Sequence, residues 1–176
     1  MRVRWLIPFG TVAAAMAPAA YATQYLSVAQ AQRAAFPQAT EFAATAPPDA
    51  AAVAALGAPA GWTPQIFAAR NGDVLQGWLI VDQVLGKSEF ITYALALDAR
   101  GAVISVDVLD YRESHGGEIR LAGWRRQFAG KTAADAAALP GQIKNISGAT
   151  LSCRHLTDGV QRLLRLHDAV LKARAG

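Results

Sequence analysis

An α+β fold is predicted for this chain: an antiparallel β-meander packed with helices, closed by a C-terminal amphipathic helix. Three observations predict it. Between Asp73 and Tyr111 the apolar and β-branched residues gather into three segments, 74–85, 90–97 and 102–109, separated by Gly86-Lys87-Ser88 and Asp98-Ala99-Arg100-Gly101. Outside that stretch, helical spacing follows residues suited to capping. Finally, 53% of the 176 residues are apolar, enough for one domain with a real core and unlike the composition of a disordered chain.

The chain opens with basic Met1-Arg2-Val3-Arg4-Trp5, continues through apolar and small residues 6–20, and reaches Ala20-Tyr21-Ala22 before Thr23. That order predicts a secretory signal peptide over 1–22 and one domain over 23–176, hence a periplasmic protein. An uncleaved anchor is the alternative, but the apolar run is shorter than the ~20 residues that span a bilayer. Pro8, Gly10 and Pro18 also interrupt it. Removing Arg2 and Arg4 lowers the net charge of +4 by two, and no basic run interleaved with aromatics remains to argue for nucleic acid. Cys153 is the only cysteine, which excludes an intramolecular disulfide and any cysteine-based metal cluster.

Ser27 and Gln30 fit a capping box for a short helix that Phe36-Pro37 ends. Residues 38–61 are rich in Ala and Pro and read either as an ordered surface loop or as carrying a brief helix, Ala51 to Leu56, that Asp49 caps and Gly57 stops. In the third strand Ala102, Ile104, Val106 and Val108 alternate with Val103, Ser105, Asp107 and Leu109, predicting one apolar inward face and one mixed outward face. Helix is expected over 118–128, another short helix capped by Thr132 and Asp135 that ends before Pro140-Gly141, and a short strand over 143–146. In the final helix Leu156, Val160, Leu163, Leu164 and Leu171 form the buried stripe, with Arg162, Arg165 and Lys172 elsewhere.

The chemistry concentrates where that helix begins. Ser147-Gly148-Ala149-Thr150 is a small, open turn delivering a hydroxyl to a helix N-terminus, whose unpaired N–H groups favour a phosphate. The plain alternative is that Thr150 or Ser152 simply caps the helix. Glu113 and His115 flank a second turn, too few ligands for a metal, and His155 and His167 are not on adjacent turns. No metal site is expected. Cys153 is a small apolar residue whose place near a helix N-terminus would lower its pKa.

The string Ile146-Ser147-Gly148-Ala149-Thr150-Leu151-Ser152 resembles the attachment motif of the FMN-binding domain of the C and G subunits of Na+-translocating and Rnf-type membrane reductases. A second stretch strengthens the resemblance: Glu113-Ser114-His115-Gly116-Gly117, then Trp124, then Phe128-Ala129-Gly130-Lys131. The similarity covers roughly residues 73–166 and is to the stand-alone exported type. The chain departs from the pattern at Lys144, where members often carry an acid six positions before the threonine, and at Cys153, where Ser or Thr is common.

The resemblance implies FMN joined to Thr150 by a phosphoester, placed there by a separate Mg2+-dependent flavin transferase. It implies an electron carrier working between a membrane-bound or periplasmic donor and an acceptor, more than a self-contained enzyme. Ser147, Gly148, Ala149, Leu151 and Ser152 would surround the attachment point, and Lys144 and Arg154 would screen its charge. Trp78, Tyr111 and Trp124 are candidates for an aromatic wall along the flavin ring, with Glu113 and His115 beside it. The competing reading is a module that holds FMN or another phosphorylated ligand reversibly, as sensor, scavenger or chaperone. A third is an exported scaffold without a cofactor.

Overall fold

A computed structural model describes residues 23–174. The expected signal peptide over 1–22 lies outside them. Six antiparallel strands form one sheet: β1 (Thr23–Gln24), β2 (Glu41–Thr45), β3 (Gln65–Asn71), β4 (Val74–Leu85), β5 (Phe90–Asp98) and β6 (Val103–Tyr111). Their spatial order is β1-β6-β5-β4-β3-β2, so strands 2 to 6 are a meander and β1 closes the β6 edge. The α+β fold with its antiparallel meander and C-terminal helix is thus the one expected.

Helices cover both faces of the sheet. On one face α1 (Val28–Ala35) packs Ala31 and the following Phe36 against Ala69, Leu79, Val81, Ala94, Ala96 and Leu109. Ser27 and Gln30 make the expected capping box, each binding the other's backbone N–H. Asp49 caps α2 (Ala50–Ala55) as anticipated. On the opposite face lies α5 (Thr150–Leu166), whose Leu156, Val160, Leu163 and Leu164 are fully buried against Ile80, Ile91, Tyr93 and Leu95. Among the described residues no helix is long and apolar enough to cross a membrane.

Several expectations are corrected. Alternation along β6 fails because register shifts leave Ile104 and Leu109 without partners: Ala96 faces Ser105 but Leu97 faces Val103, and Thr92 faces Asp110 but Tyr93 faces Val108. Each bulge inserts one residue and reverses the phase of the face. Ile104 is therefore exposed while Val103 joins the core. The second bulge turns Tyr111 toward α5, alongside Val106 and Val108.

Residues 118–128 are broken into a 3-10 turn at Gly117–Arg120, the single-turn α3 (Ala122–Arg125) and another 3-10 turn at Arg126–Phe128. Thr132 and Asp135 make their capping box, but around a 3-10 turn at Ala133–Asp135 instead of a helix, and Pro140-Gly141 falls inside the next helix instead of after the end of this one. Residues 143–146 are not a strand: α4 (Leu139–Gln142) comes first and an irregular segment runs on to α5. Arg162 does not face solvent. It reaches the buried Asp82, 3.1 Å away, which also accepts from Tyr93 Oη at 3.0 Å and Trp62 Nε1 at 2.7 Å. Burial foremost, then Asp82, pushes the Tyr93 hydroxyl well above its usual pKa, so it stays a donor.

Gly159 sets how closely α5 approaches the sheet. A Cβ there would lie 2.5 Å from Tyr93 Oη and 2.8 Å from Val84 Cγ1, and neither can retreat because both belong to the buried core. Alanine gains ~1 kcal/mol of helix propensity over glycine, whereas overpacking a core costs about 1–3 kcal/mol. The clash therefore prevails. Gly159→Ala is expected to lower stability by up to about 2 kcal/mol, read as a reduced urea midpoint at unchanged slope.

Candidate functional site

Two neighbouring cavities share one wall at the N-terminal end of α5. The first, about 510 Å3, is lined by Tyr25, Tyr111, the 113–118 loop, Arg120, Leu121 and Gly148. The second, about 490 Å3, is lined by Lys87, Ser88, Glu113 to His115 and residues 148–152. Glu113, Ser114, His115 and Gly148 line both, so together they make one cleft with two lobes. Each lobe falls in the range of small-molecule sites, ~300–1,000 Å3.

Thr150 is the first residue of α5 and is exposed. The residue at the cap position is Ala149, without a side-chain hydrogen bond, which excludes both Thr150 and Ser152 as caps. Cys153 is the first residue of α5 whose amide finds a helical partner, donating to the Ala149 carbonyl at 2.9 Å. The amides of Thr150, Leu151 and Ser152 belong to the uncapped first turn, where positive potential gathers. Gly148 makes the preceding turn possible at φ +84°, a conformation strained for other residues. A phosphate would find donors here, so the residues present fit a phosphorylated ligand.

Glu113 ties the walls together. Its Oε1 accepts from the amides of Ser88 at 2.6 Å and Glu89 at 3.0 Å, joining the loop after β6 to the β4–β5 hairpin. Gly86 is glycine because a Cβ there would stand 2.5 Å from the same oxygen. Burial acts to raise the carboxyl pKa, but the backbone amides of Glu89, Ser88 and Lys87 outweigh it and hold the pKa below the usual glutamate value. Tyr111 donates its hydroxyl to the His115 carbonyl and lies 3.4 Å from Ser152 Oγ. Burial leads the causes that raise its pKa, so the phenol remains a donor. Gly116 at φ +85° lets the loop pass: a Cβ would meet Tyr111 Oη at 2.8 Å and Ala149 Cβ at 3.3 Å.

The expected residues divide accordingly. Gly148, Ala149, Thr150, Leu151, Ser152, Tyr111, Glu113 and His115 converge on the cleft. Ser147 is exposed but lines neither lobe. Trp78 and Trp124 line neither. Trp78 is core at 1% exposure, while Trp124 packs edge-on against Phe128 and donates Nε1 to the Lys144 carbonyl at 2.7 Å, bracing the segment that leads to Thr150. Lys144 and Arg154 also lie outside the lining, and the cation at the Thr150 lobe is Lys87. Burial pushes the Cys153 thiol up, opposite to the shift expected from the helix terminus, and its Sγ accepts from the Ile146 amide. Sequence reasoning missed Tyr25, Lys87, Ser88, Arg120 and Leu121. The only early sign of Lys87 and Ser88 was their place in the hairpin turn.

Because the folded pKa of Glu113 lies below its unfolded value, the clamp contributes fully above the ordinary glutamate range and is lost as pH falls through the folded pKa. The Ser88 and Glu89 amide resonances are expected to titrate with a midpoint below the unperturbed ~4.3. In Glu113→Gln that midpoint disappears, and hydrogen exchange at both amides quickens while amides in the centre of β5 keep their protection.

No curated protein matches the chain. Residues 86–165 match the family model described as the FMN-binding domain. The matched stretch begins at Gly86, against the Glu113 clamp, and runs through the Thr150 turn nearly to the end of α5. The match makes residues 86–165 a segment of the FMN-binding domain family and supports a flavin-binding role for the chain.

Proposed function

We propose that the chain is an exported electron carrier with one FMN joined through a phosphoester to Thr150. One observation carries the reading: inside a segment of the FMN-binding domain family, an exposed threonine hydroxyl stands at the first position of an uncapped helix and opens into the cleft. FMN, when bound, supplies a ring that accepts and releases electrons. Thr150 Oγ1 would carry the phosphate, with the first-turn amides of α5 and the Lys87 ammonium offsetting its charge. Glu113 holds the 113–118 loop against the hairpin, and Tyr111 fixes the same loop through the His115 carbonyl.

Attachment would be the work of a second protein, as the resemblance to the flavinylated reductase subunits implies. A Mg2+-dependent flavin transferase would form the ester from FAD: the Thr150 oxygen bonds to the FMN phosphorus, the pyrophosphate bond breaks, AMP leaves and the hydroxyl proton is lost. Exposure of Thr150 on a turn flanked by Gly148 and Ala149 gives such an enzyme access. The export pattern of residues 1–22 supports a periplasmic setting, with donor and acceptor at or near the membrane.

Co-expression with a flavin transferase, followed by denaturation and intact mass measurement, tests the proposal. The expected mass is that of the chain plus FMN less water. Thr150→Ser should still accept the group, and Thr150→Ala should carry none. Yellow colour that leaves with the solvent after denaturation, at an unshifted protein mass, would instead support reversible binding.

A further inference from the structure

Resting on the reading above, we propose that the flavin ring seats against the pair formed by Tyr25 and Arg120, with Arg120 favouring the ring's reduced form. Tyr25 lies outside the family-matched residues 86–165, so this wall belongs to the chain's own N-terminal segment. The two lobes differ in what they offer a flat aromatic ring. Around Thr150 the lining is Lys87, Ser88, Glu113, Ser114, His115 and residues 148–152, with the shared His115 imidazole as its one ring and no Phe, Tyr or Trp. Across Gly148, the other lobe presents Tyr25, Tyr111, Arg120 and Leu121.

Within that lobe Tyr111 is already committed. It is 5% exposed, its hydroxyl is spent on the His115 carbonyl, and its neighbour is Ser152. Tyr25 and Leu121, at 38% and 59% exposure, are the large apolar side chains left open. Exposed aromatic and aliphatic surface beside a cavity is what a ligand ring would cover. The backbone of Tyr25 is nonetheless fixed: Thr23 and Gln24 pair with Tyr111 and Asp110, and the Tyr25 amide donates to the Leu109 carbonyl at 2.9 Å. An anchored main chain with an open side chain suits a ring contact.

Arg120 is oriented from two sides. Its Nε donates to the Gly117 carbonyl at 2.9 Å, and its guanidinium carbon stands 4.1 Å from the centre of the Tyr25 ring. A planar guanidinium stacks on aromatic rings and keeps its charge at every working pH. Reduction places negative charge on a flavin ring, so a fixed cation beside it favours the reduced form. Glu113 and Glu118 also line the lobe and oppose this. The Ser88 and Glu89 amides partly screen the Glu113 carboxylate, leaving Glu118 as the main counterweight.

The experiment uses the flavin-loaded chain, its adduct verified by mass, with Tyr25→Leu, Tyr25→Trp, Arg120→Gln and Arg120→Lys. Two quantities are read: flavin emission lifetime, which aromatic contact shortens, and midpoint potential by reductive titration. Tyr25→Leu is expected to lengthen the lifetime several-fold while Tyr25→Trp keeps it short. Arg120→Gln is expected to reduce the preference for the reduced form about tenfold, ~30 mV for a two-electron couple, and Arg120→Lys to restore part of it. Full adduct with lifetime and potential unchanged in every variant would overturn the seat while leaving attachment intact. If the parent chain carries no adduct, the same variants are titrated with free FMN. Quenching lost only in Tyr25→Leu sustains the seat, and absence of binding overturns both readings.

Discussion

The close seating of α5 on β4 and β5 is the constraint on which the rest depends. Gly159 removes the side chain that would hold the helix off Tyr93 and Val84, and Leu156, Val160, Leu163 and Leu164 then bury completely. Each such leucine or valine is worth ~1.5–3 kcal/mol when fully buried, so the helix position is over-determined. The Asp82 cluster adds direction rather than depth. Its carboxylate takes donors from Trp62, Tyr93 and Arg162, linking the loop before β3, the sheet and the helix at one point. Losing one partner of a buried pair costs ~3–5 kcal/mol, which penalises any slide of α5 along the sheet. Fixing the helix in this way fixes its first residue at the corner between the β4–β5 hairpin and the end of β6.

That corner has an electrostatic problem, since a phosphate placed there would meet the Glu113 carboxylate. The structure answers it by occupying Glu113 Oε1 with the backbone amides of Ser88 and Glu89. Charge-assisted hydrogen bonds to backbone amides are about twice as strong as neutral ones, and they draw the negative charge toward the hairpin. Lys87, at the tip of the same hairpin, lines the lobe that Thr150 enters. One turn therefore screens the carboxylate and supplies the cation.

Much of this fold is legible in sequence because it is local. The two capping boxes, the Asp49 cap and the stripe of α5 rest on neighbours within a turn or two, and all appear where expected. What sequence reading missed depends on distant partners. Strands β2 and β3 are alanine-rich, and alanine is a weak strand former; Ala69 is in a strand because it fits beneath Phe36 and Ala31. Asn71-Gly72 before β4 was the available hairpin signal. The bulges at Ile104 and Leu109 leave no mark in an alternating pattern, yet the second aims Tyr111 into the cleft. Trp78 and Trp124 were candidate walls by residue type alone, and only tertiary placement makes one of them core and the other a brace.

The Phe128-Ala129-Gly130-Lys131 string shows the same division between scaffold and site. Phe128 is fully buried, while the Gly130 amide and Lys131 carbonyl bond the backbone of Val103, so the string finishes the β6 edge and lines neither lobe of the cleft. The Thr150 turn is the reverse case. A Ser, Thr or Asp at the cap position would stabilise α5 by ~1 kcal/mol over alanine, yet position 149 holds Ala. Packing explains its size, because Ala149 is buried against Gly116, where even one added Cβ would come within 3.3 Å. The chemical result is that the first turn of α5 keeps its amides without a side-chain cap, and the Thr150 hydroxyl stays free of that duty. A helix stabilised so heavily along its buried stripe can forgo a cap. The stability left out at that end is what keeps the end open to an anion.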